Sequence, residues 1–104
     1  MTEPKNRMRP VHPGVILKED VLATMGLSAN ALARELRVPV TRISEILHGR
    51  RAITADTALR LSRYLGTTAQ FWLNLQASYD LKITERVSGR RIEREIHPRG
   101  PVAA

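Results

Sequence analysis

The segment Leu27–Thr54, LSANALARELRVPVTRISEILHGRRAIT, decides the fold of this chain. Apolar residues recur in it at helical spacing in two short runs, which a Val-Pro turn separates. The first run opens on Ser28, whose hydroxyl can cap free backbone N–H groups, and Pro39 suits the first turn of the second because its missing N–H is no loss there. The segment therefore predicts two short helices joined by a tight turn. Their apolar sides consist of Leu32, Ala33 and Leu36 in the first helix and of Val40, Ile43, Ile46 and Leu47 in the second.

The opposite side of the second helix is polar, and a basic loop follows it. Gly49 ends the helix, and Arg50 and Arg51 come next. Such a polar face fits the major groove of DNA, so the segment predicts a helix-turn-helix whose second helix reads base edges. We expect Arg42 to contact bases, with phosphate or solvent as alternatives, and the loop arginines to contact phosphates. The predicted DNA-binding residues are Asn30, Pro39, Val40, Thr41, Arg42, Ser44, Glu45, His48, Arg50 and Arg51.

Composition limits the class of protein. The 104 residues predict a single domain, and 17 Lys and Arg against 10 Asp and Glu give a formal net charge of +7, which favours nucleic acid as a partner. There is no cysteine, and His12, His48 and His97 lack the paired spacing of metal ligands. No apolar run approaches the roughly 18 residues of a membrane span, and no secretory signal opens the chain. We therefore expect a cytoplasmic protein without a membrane segment, a metal or a cofactor.

The segments before Leu27 predict an arm and one helix. Residues 1–11 are polar and show no periodicity, which is typical of a flexible N-terminal arm. A helix then begins at Pro13 and ends near Gly26. Its apolar side contains residues at i, i+4 and i+8, with two more beside them. These residues are Leu17, Val21 and Met25, with Val15 and Leu22 as neighbours.

Two more helices complete an all-α domain that we place at residues 12–83. Thr54 is a good N-cap for the fourth helix, and Gly66 ends it. Asp56 lies in its first turn, where the positive end of the helix dipole favours a carboxylate. The apolar side of this fourth helix contains Ala58, Leu61 and Leu65.

The fifth helix, from Thr67 or Thr68 to about Lys82, has apolar residues on two sides. The Leu73 row contains Ala69, Leu73, Ala77 and Leu81, and the Trp72 row contains Phe71, Trp72, Leu75 and Tyr79. A helix that covers a small core needs only one apolar side. We therefore expect a homodimer to bury the second row, with burial between helices 1 and 4 of the same chain as the alternative. The predicted dimer-interface residues are Phe71, Trp72, Leu73, Leu75 and Tyr79.

After Ile83 the helical pattern weakens. Residues 84–104 contain glycines and prolines among charges of both signs. This composition predicts a mostly mobile C-terminal tail. The alternative is a short helix in which Ile92 and Ile96 meet a partner at i, i+4 spacing.

These residues carry a family resemblance. His12-Pro13-Gly14 opens the first helix, an IxxILxGxRxIT pattern runs from Ile43 to Thr54, and FWLNLQxxYDL runs from Phe71 to Leu81. Over about residues 10–83 the chain resembles HigA-type antitoxins, the virulence-associated-protein-I branch of the Cro/C1-type (XRE) helix-turn-helix proteins. The resemblance implies a five-helix, lambda-repressor-like domain. Glu45 departs from the family pattern, since many relatives carry a basic or polar residue there.

The resemblance implies an antitoxin of a type II toxin–antitoxin module. Such a protein binds double-stranded operator DNA as a dimer, represses its own operon, and sequesters a HigB-type toxin, a RelE-like mRNA endonuclease. A solitary Cro/C1-type repressor without a toxin partner is the alternative, and a module that no longer reads DNA is a third interpretation.

An enzyme is not expected. The sequence has no Ser/His/acid set, Gly-rich phosphate loop or metal-ligand spacing, and Glu19 and Asp20 are adjacent, which points them about 100° apart on a helix. We therefore predict neither a catalytic residue nor a small-molecule substrate.

Overall fold

Five helices build the described part of the chain. The computed structural model describes residues 9–101, so most of the expected N-terminal arm, residues 1–8, lies outside it. No strand occurs among the described residues, and the all-α, five-helix prediction is confirmed. The first helix, α1, has three consecutive parts, Pro13–Ile16, Leu17–Leu22 and Ala23–Met25; the others are α2 at Ala29–Leu36, α3 at Val40–Leu47, α4 at Ala55–Leu65 and α5 at Ala69–Glu95.

Hydroxyl side chains set three of the helix starts. Ser28 accepts a 3.1 Å hydrogen bond from the backbone N–H of Ala31 at the start of α2. Thr54 and Thr68 occupy the same position before α4 and α5 and cap them in the same way. Each bond satisfies a backbone donor that the helix leaves without a partner. The predicted starts of these helices are therefore confirmed.

The first helix differs from the expected regular pattern. Its middle part, Leu17–Leu22, is a π-helical turn, in which hydrogen bonds span five residues instead of the four of an α-helix. Leu17 and Leu22, five residues apart, are both buried, whereas Met25 is half exposed. The expected row of Leu17, Val21 and Met25 is therefore wrong at its C-terminal end, because a π turn advances the buried face by five residues instead of four.

The core lies where α1, α2, α3 and α4 meet the first half of α5. Trp72 is fully buried in it and donates a 2.8 Å hydrogen bond from Nε1 to the Thr67 hydroxyl. This bond satisfies the indole donor, so the largest side chain of the core carries no unpaired polar group. The buried apolar residues are Leu17, Leu22, Leu32, Ala33, Leu36, Ile43, Ile46, Ile53, Ala58, Leu61 and Trp72.

The fifth helix is much longer than the sequence pattern predicts. It continues to Glu95, so the predicted end near Lys82 is wrong, and residues 84–95 are helical. At 27 residues α5 spans about 40 Å. The radius of gyration is 17.0 Å, against roughly 13 Å for a compact domain of this size, because the second half of α5 extends beyond the core.

Both apolar rows of α5 pack against the core at the start of the helix, since Ala69 and Leu73 do so as well as Leu75. The rows differ further along the helix. Of the Trp72 row, Trp72 is buried and Leu75 packs against the core, while the ring of Tyr79 contacts His12 edge-on. Leu81, in the Leu73 row, is 60% exposed. The structure thus corrects the interface prediction for Trp72, which has no surface to offer a partner. Phe71 lies at the edge of its row and is partly exposed.

Candidate nucleic-acid interface

The turn between α2 and α3 leaves the start of α3 without a side-chain cap. Arg37 adopts the left-handed conformation (φ 59°) and ends α2, and Pro39 is extended at the N-cap of α3 without a side-chain cap. Pro39 therefore lies one residue before the helix and not within its first turn. The first N–H groups of an α-helix have no partner inside the helix, and with the positive end of the helix dipole they favour an anion.

The polar side of α3 carries most of the predicted contact residues. Thr41 and Arg50 are exposed, and Ser44 and Glu45 are half-buried. Val40, predicted to pack inward, is 41% exposed at the helix start. Asn30 is exposed in the first turn of α2, on a different helix from the rest of the predicted set.

Arg42 lies in an ion-pair cluster with α4. Its Nη1 atom donates to Asp56 Oδ2 at 2.7 Å and to the Thr57 hydroxyl at 3.4 Å. Arg60 donates from Nε to the same Asp56 oxygen at 2.9 Å and from Nη1 to the carbonyl of Leu36 at 2.8 Å. The hydrogen bonds from Arg42 and then Arg60 hold the pKa of the Asp56 carboxyl below its usual value. The cluster therefore joins the end of α2 and the start of α3 to the start of α4 around a charged carboxylate.

Arg51 pairs with the acid of the polar side. Its Nε and Nη2 atoms lie 2.8 and 2.6 Å from the same Glu45 oxygen. Both side chains are a little under half exposed, so the pair lies at the surface. The consequence is electrostatic, because Arg51 neutralises the carboxylate that the sequence places on the groove-facing side.

Two further contacts hold the end of α3 and its loop. His48 is the C-cap of α3, and its Nδ1 lies 2.8 Å from the carbonyl of Ser44. The loop then returns to the core at Ile53, whose buried N–H donates to Gln76 Oε1 on α5 at 2.8 Å. The arginines of the loop are therefore exposed on a segment that is fixed at both ends.

His12 contributes to the same region, and the sequence interpretation missed it. It is the N-cap of α1: Nδ1 accepts a 2.9 Å hydrogen bond from the N–H of Gly14, so the proton of the neutral ring lies on Nε2. Burial lowers the pKa of His12, against smaller opposing effects of a hydrogen bond to the Arg51 backbone and of Asp80. The ring thus connects the start of α1, the basic loop and α5. A histidine directly before Pro at the first helical position was the available signal.

Gly14 lets α1 approach the end of α3 closely. A Cβ atom at this position would clash with the backbone carbonyl of Ile46. The close approach explains why the segment His-Pro-Gly opens α1, since a larger residue would push α3 away from its place.

No group of three potential metal ligands occurs in residues 9–101, and no helix in that range is long and apolar enough to cross a membrane.

Comparisons with known proteins match the chain to helix-turn-helix proteins, several of which are HigA antitoxins. Residues 18–72 match the model of the helix-turn-helix family HTH_3. The chain is 58% identical over 82 residues to virulence-associated protein I of Dichelobacter nodosus, covering 79% of this chain and 76% of that protein. Among solved structures it is similar to an addiction module antidote protein of the HigA family from Coxiella burnetii (TM-score 0.83, 52% identity, 86% and 98% of the two chains covered). It is also similar to the Pseudomonas aeruginosa antitoxin HigA, solved with the higBA promoter (TM-score 0.86, 44% identity, 88% and 100% covered).

Proposed function

Because the chain belongs to the HigA-type antitoxin branch of the helix-turn-helix family, whose members are DNA-binding regulators and not enzymes, we propose that it binds the operator of its own operon and represses it. The observation that carries the proposal is the first turn of α3, which has no side-chain cap and carries Arg42, next to a loop that exposes Arg50. This arrangement suits a helix whose N-terminal end enters the major groove while the loop contacts phosphates.

A dimer completes the proposed site. We expect two copies to bind an inverted repeat with half-sites roughly 34–36 Å apart, about one helical turn. The C-terminal end of the Leu73 row on α5 is the proposed contact, since Ala77 and Leu81 are exposed there, whereas Tyr79 at the same end of the Trp72 row contacts His12 of its own chain.

The dimer is tested by placing a charge in this row. Leu81→Glu should give a folded monomer, because Leu81 is 60% exposed in the single chain and its replacement disturbs no core contact. Leu59→Glu on α4 is the matched control, since Leu59 is exposed to 62%. Sedimentation at micromolar concentration should show a dimer for the wild type and for the control. A monomeric wild type would rule out the proposed contact.

DNA binding is tested with a duplex from the promoter region of the operon that contains the gene for this chain. Binding should weaken steeply with salt, with a log–log slope of about −0.9 for each phosphate neutralised. Arg42→Ala should weaken binding to this duplex more than to a scrambled one, whereas Arg50→Ala should weaken both alike. Equal binding of the two duplexes by the wild type would contradict the proposed function.

The toxin partner is the second part of the proposal. Since the family name implies a toxin, we propose that the chain neutralises a HigB-type, RelE-like mRNA endonuclease in the cytoplasm. The partner should contact a surface away from α3, because repression by the complex needs both surfaces at once. The exposed acids Glu19 and Asp20 on α1, Glu35 on α2 and the half of α5 beyond Ile83 supply such surfaces. A toxin of this class is basic, so local acids and apolar area should drive the contact instead of net charge.

Co-expression with the adjacent toxin tests this part. The double variant Arg42→Ala, Arg51→Ala should lose repression and still protect cells. Loss of protection with an intact circular dichroism spectrum would mean that toxin and DNA share a surface. The absence of a toxin gene beside this one would favour a solitary repressor.

A further inference from the structure

The geometry points to Asp56 as the residue that positions Arg42 for reading a guanine in each half-site. This inference rests on the proposed operator binding and deepens it, since it names a second residue of the reading unit and the base that the unit recognises. Asp56 lies on α4, outside the helix-turn-helix, and needs no contact with DNA for this role.

The bonds of Arg42 leave one edge of its guanidinium free. An arginine has five N–H donors in a fixed planar arrangement. Within the described part of the chain, Arg42 uses Nη1 for both of its bonds, at 2.7 Å to Asp56 and 3.4 Å to Thr57. The edge formed by Nε and Nη2 remains for another planar acceptor. Guanine presents such a pair in the major groove, the O6 and N7 atoms, and arginine is their commonest bidentate partner.

Arg51 provides an internal contrast. Its Nε and Nη2 atoms both contact Glu45 Oε1, at 2.8 and 2.6 Å, so the corresponding edge is occupied. Of these two arginines, only Arg42 can hold its protein partner and receive a base on that edge at the same time. Arg42 also lies in the first turn of α3, the end of a recognition helix that meets base edges.

Asp56 is itself held in place. The second arginine, Arg60, bonds the same carboxylate oxygen at 2.9 Å and the Leu36 carbonyl at 2.8 Å. The carboxylate also lies in the first turn of α4, where the helix dipole favours a negative charge. Arg42 is therefore oriented by a group that two further interactions fix, and a held side chain loses less conformational entropy when it binds.

The sign of the Asp56 effect separates positioning from simple charge. Removal of a carboxylate from a surface that faces DNA raises the local positive potential, which by itself tightens binding to every duplex. Loss of positioning does the opposite for the operator, and only at the base that Arg42 reads. The two roles therefore predict opposite changes.

Selection of binding sites from a randomised duplex library tests the inference. The wild type should select an inverted repeat with one guanine per half-site that Arg42→Ala no longer selects. Asp56→Ala should lose the same guanine, by about tenfold in relative affinity, and keep the other positions. Asp20→Asn, a change of charge on the exposed side of α1, should behave as the wild type. Asp56→Asn, which keeps a neutral acceptor for both arginines, replaces Asp56→Ala if the latter unfolds, and should weaken the same preference.

Two results obtained with Asp56→Ala would overturn the inference. One is a guanine preference that Asp56→Ala leaves intact while Arg42→Ala removes it, and the other is tighter binding of Asp56→Ala to all duplexes alike. Failure of the proposed function looks different, since the wild type itself would then select no sequence. A wild-type consensus without an Arg42-dependent guanine would also contradict the assignment.

Discussion

The side-chain oxygen of Gln76, in the first half of α5, accepts a buried hydrogen bond of 2.8 Å from the backbone N–H of Ile53, at the end of the loop that follows α3. The amide nitrogen of Gln76 donates in turn to Asp80 at 3.0 Å. The loop with Arg50 and Arg51 is therefore tied to the helix that also carries the proposed dimer contact. In the proposed dimer, we expect the spacing of the two half-site surfaces to depend on Gln76, the side chain that also satisfies the buried N–H of Ile53.

Replacement of Gln76 should measure this contact. In Gln76→Ala the N–H of Ile53 keeps no acceptor, and a buried donor without a partner costs about 1–3 kcal/mol of the free energy of unfolding. Gln70→Ala is the matched control, because Gln70 is exposed and bonds only to Asn74 on the same helix. Urea unfolding checks the difference. Equal stability of the two variants would mean that the loop finds another acceptor.

Local signals predicted much of the fold. Ser28, Thr54 and Thr68 begin their helices as the cap chemistry requires. The apolar residues of α2 are buried as their spacing predicts, and so are Ile43 and Ile46 of α3, whereas Val40 at the start of α3 is 41% exposed. These features depend on neighbours within four residues. The features that the sequence predicted wrongly depend on tertiary structure, or on a helix that continues where it buries no side chain.

The two boundary errors have separate physical reasons. The π turn at Leu17–Leu22 changes the period inside one helix, so a fixed spacing of four could not follow it. The extension of α5 to Glu95 lacks a buried face, since Val87 is 77% exposed, and hydrophobic periodicity detects only helices that bury one. The ion pair of Arg42 with Asp56 joins residues 14 apart, and only the tertiary structure, in which α2 packs against both α3 and α4, brings them together.

The stability of the chain should depend on the protonation of His12. Burial lowers the pKa of His12 in the folded state below the ordinary 6.5, so the unfolded chain binds more protons. The contribution of neutral His12 is therefore complete above pH 6.5 and is lost as the pH falls through 6.5 towards the lower folded pKa. His12→Asn keeps an acceptor for the N–H of Gly14 without titrating. Its melting temperature should fall less than that of the wild type over this pH range, and parallel curves would contradict the prediction.

Because Arg51 pairs with Glu45, replacements of Arg50 and of Arg51 in the same loop should have different effects on DNA affinity. Arg51→Ala removes one positive charge and also leaves the Glu45 carboxylate unpaired beside DNA, whereas Arg50→Ala removes only a charge. Arg51→Ala should therefore weaken binding to a scrambled duplex more than Arg50→Ala does. The double variant Arg51→Ala, Glu45→Ala should recover part of the loss. Fluorescence anisotropy over a salt series measures all three, and equal losses would show that Glu45 lies away from the phosphates.

Removal of residues 84–104 should separate the two halves of α5. The buried residues of α5 are Trp72 and Gln76, both in its first half, and the exposed side chains beyond Ile83 include Val87 and Ile92. No described side chain beyond Ile83 is buried, so its removal costs no core contact and the shortened chain should keep nearly the full stability.

The oligomeric state of the shortened chain decides where the dimer contact lies. Because Leu73, Ala77 and Leu81 remain in it, the chain ending at residue 83 should sediment as a dimer and lose less operator affinity than Arg42→Ala or Arg51→Ala. Full-length Leu81→Glu is the control, since it keeps the second half of α5 and should be a monomer. A shortened chain that is stable but monomeric would move the contact to residues 84–95. In that case the half of α5 beyond the core would exist to join two operator-binding domains.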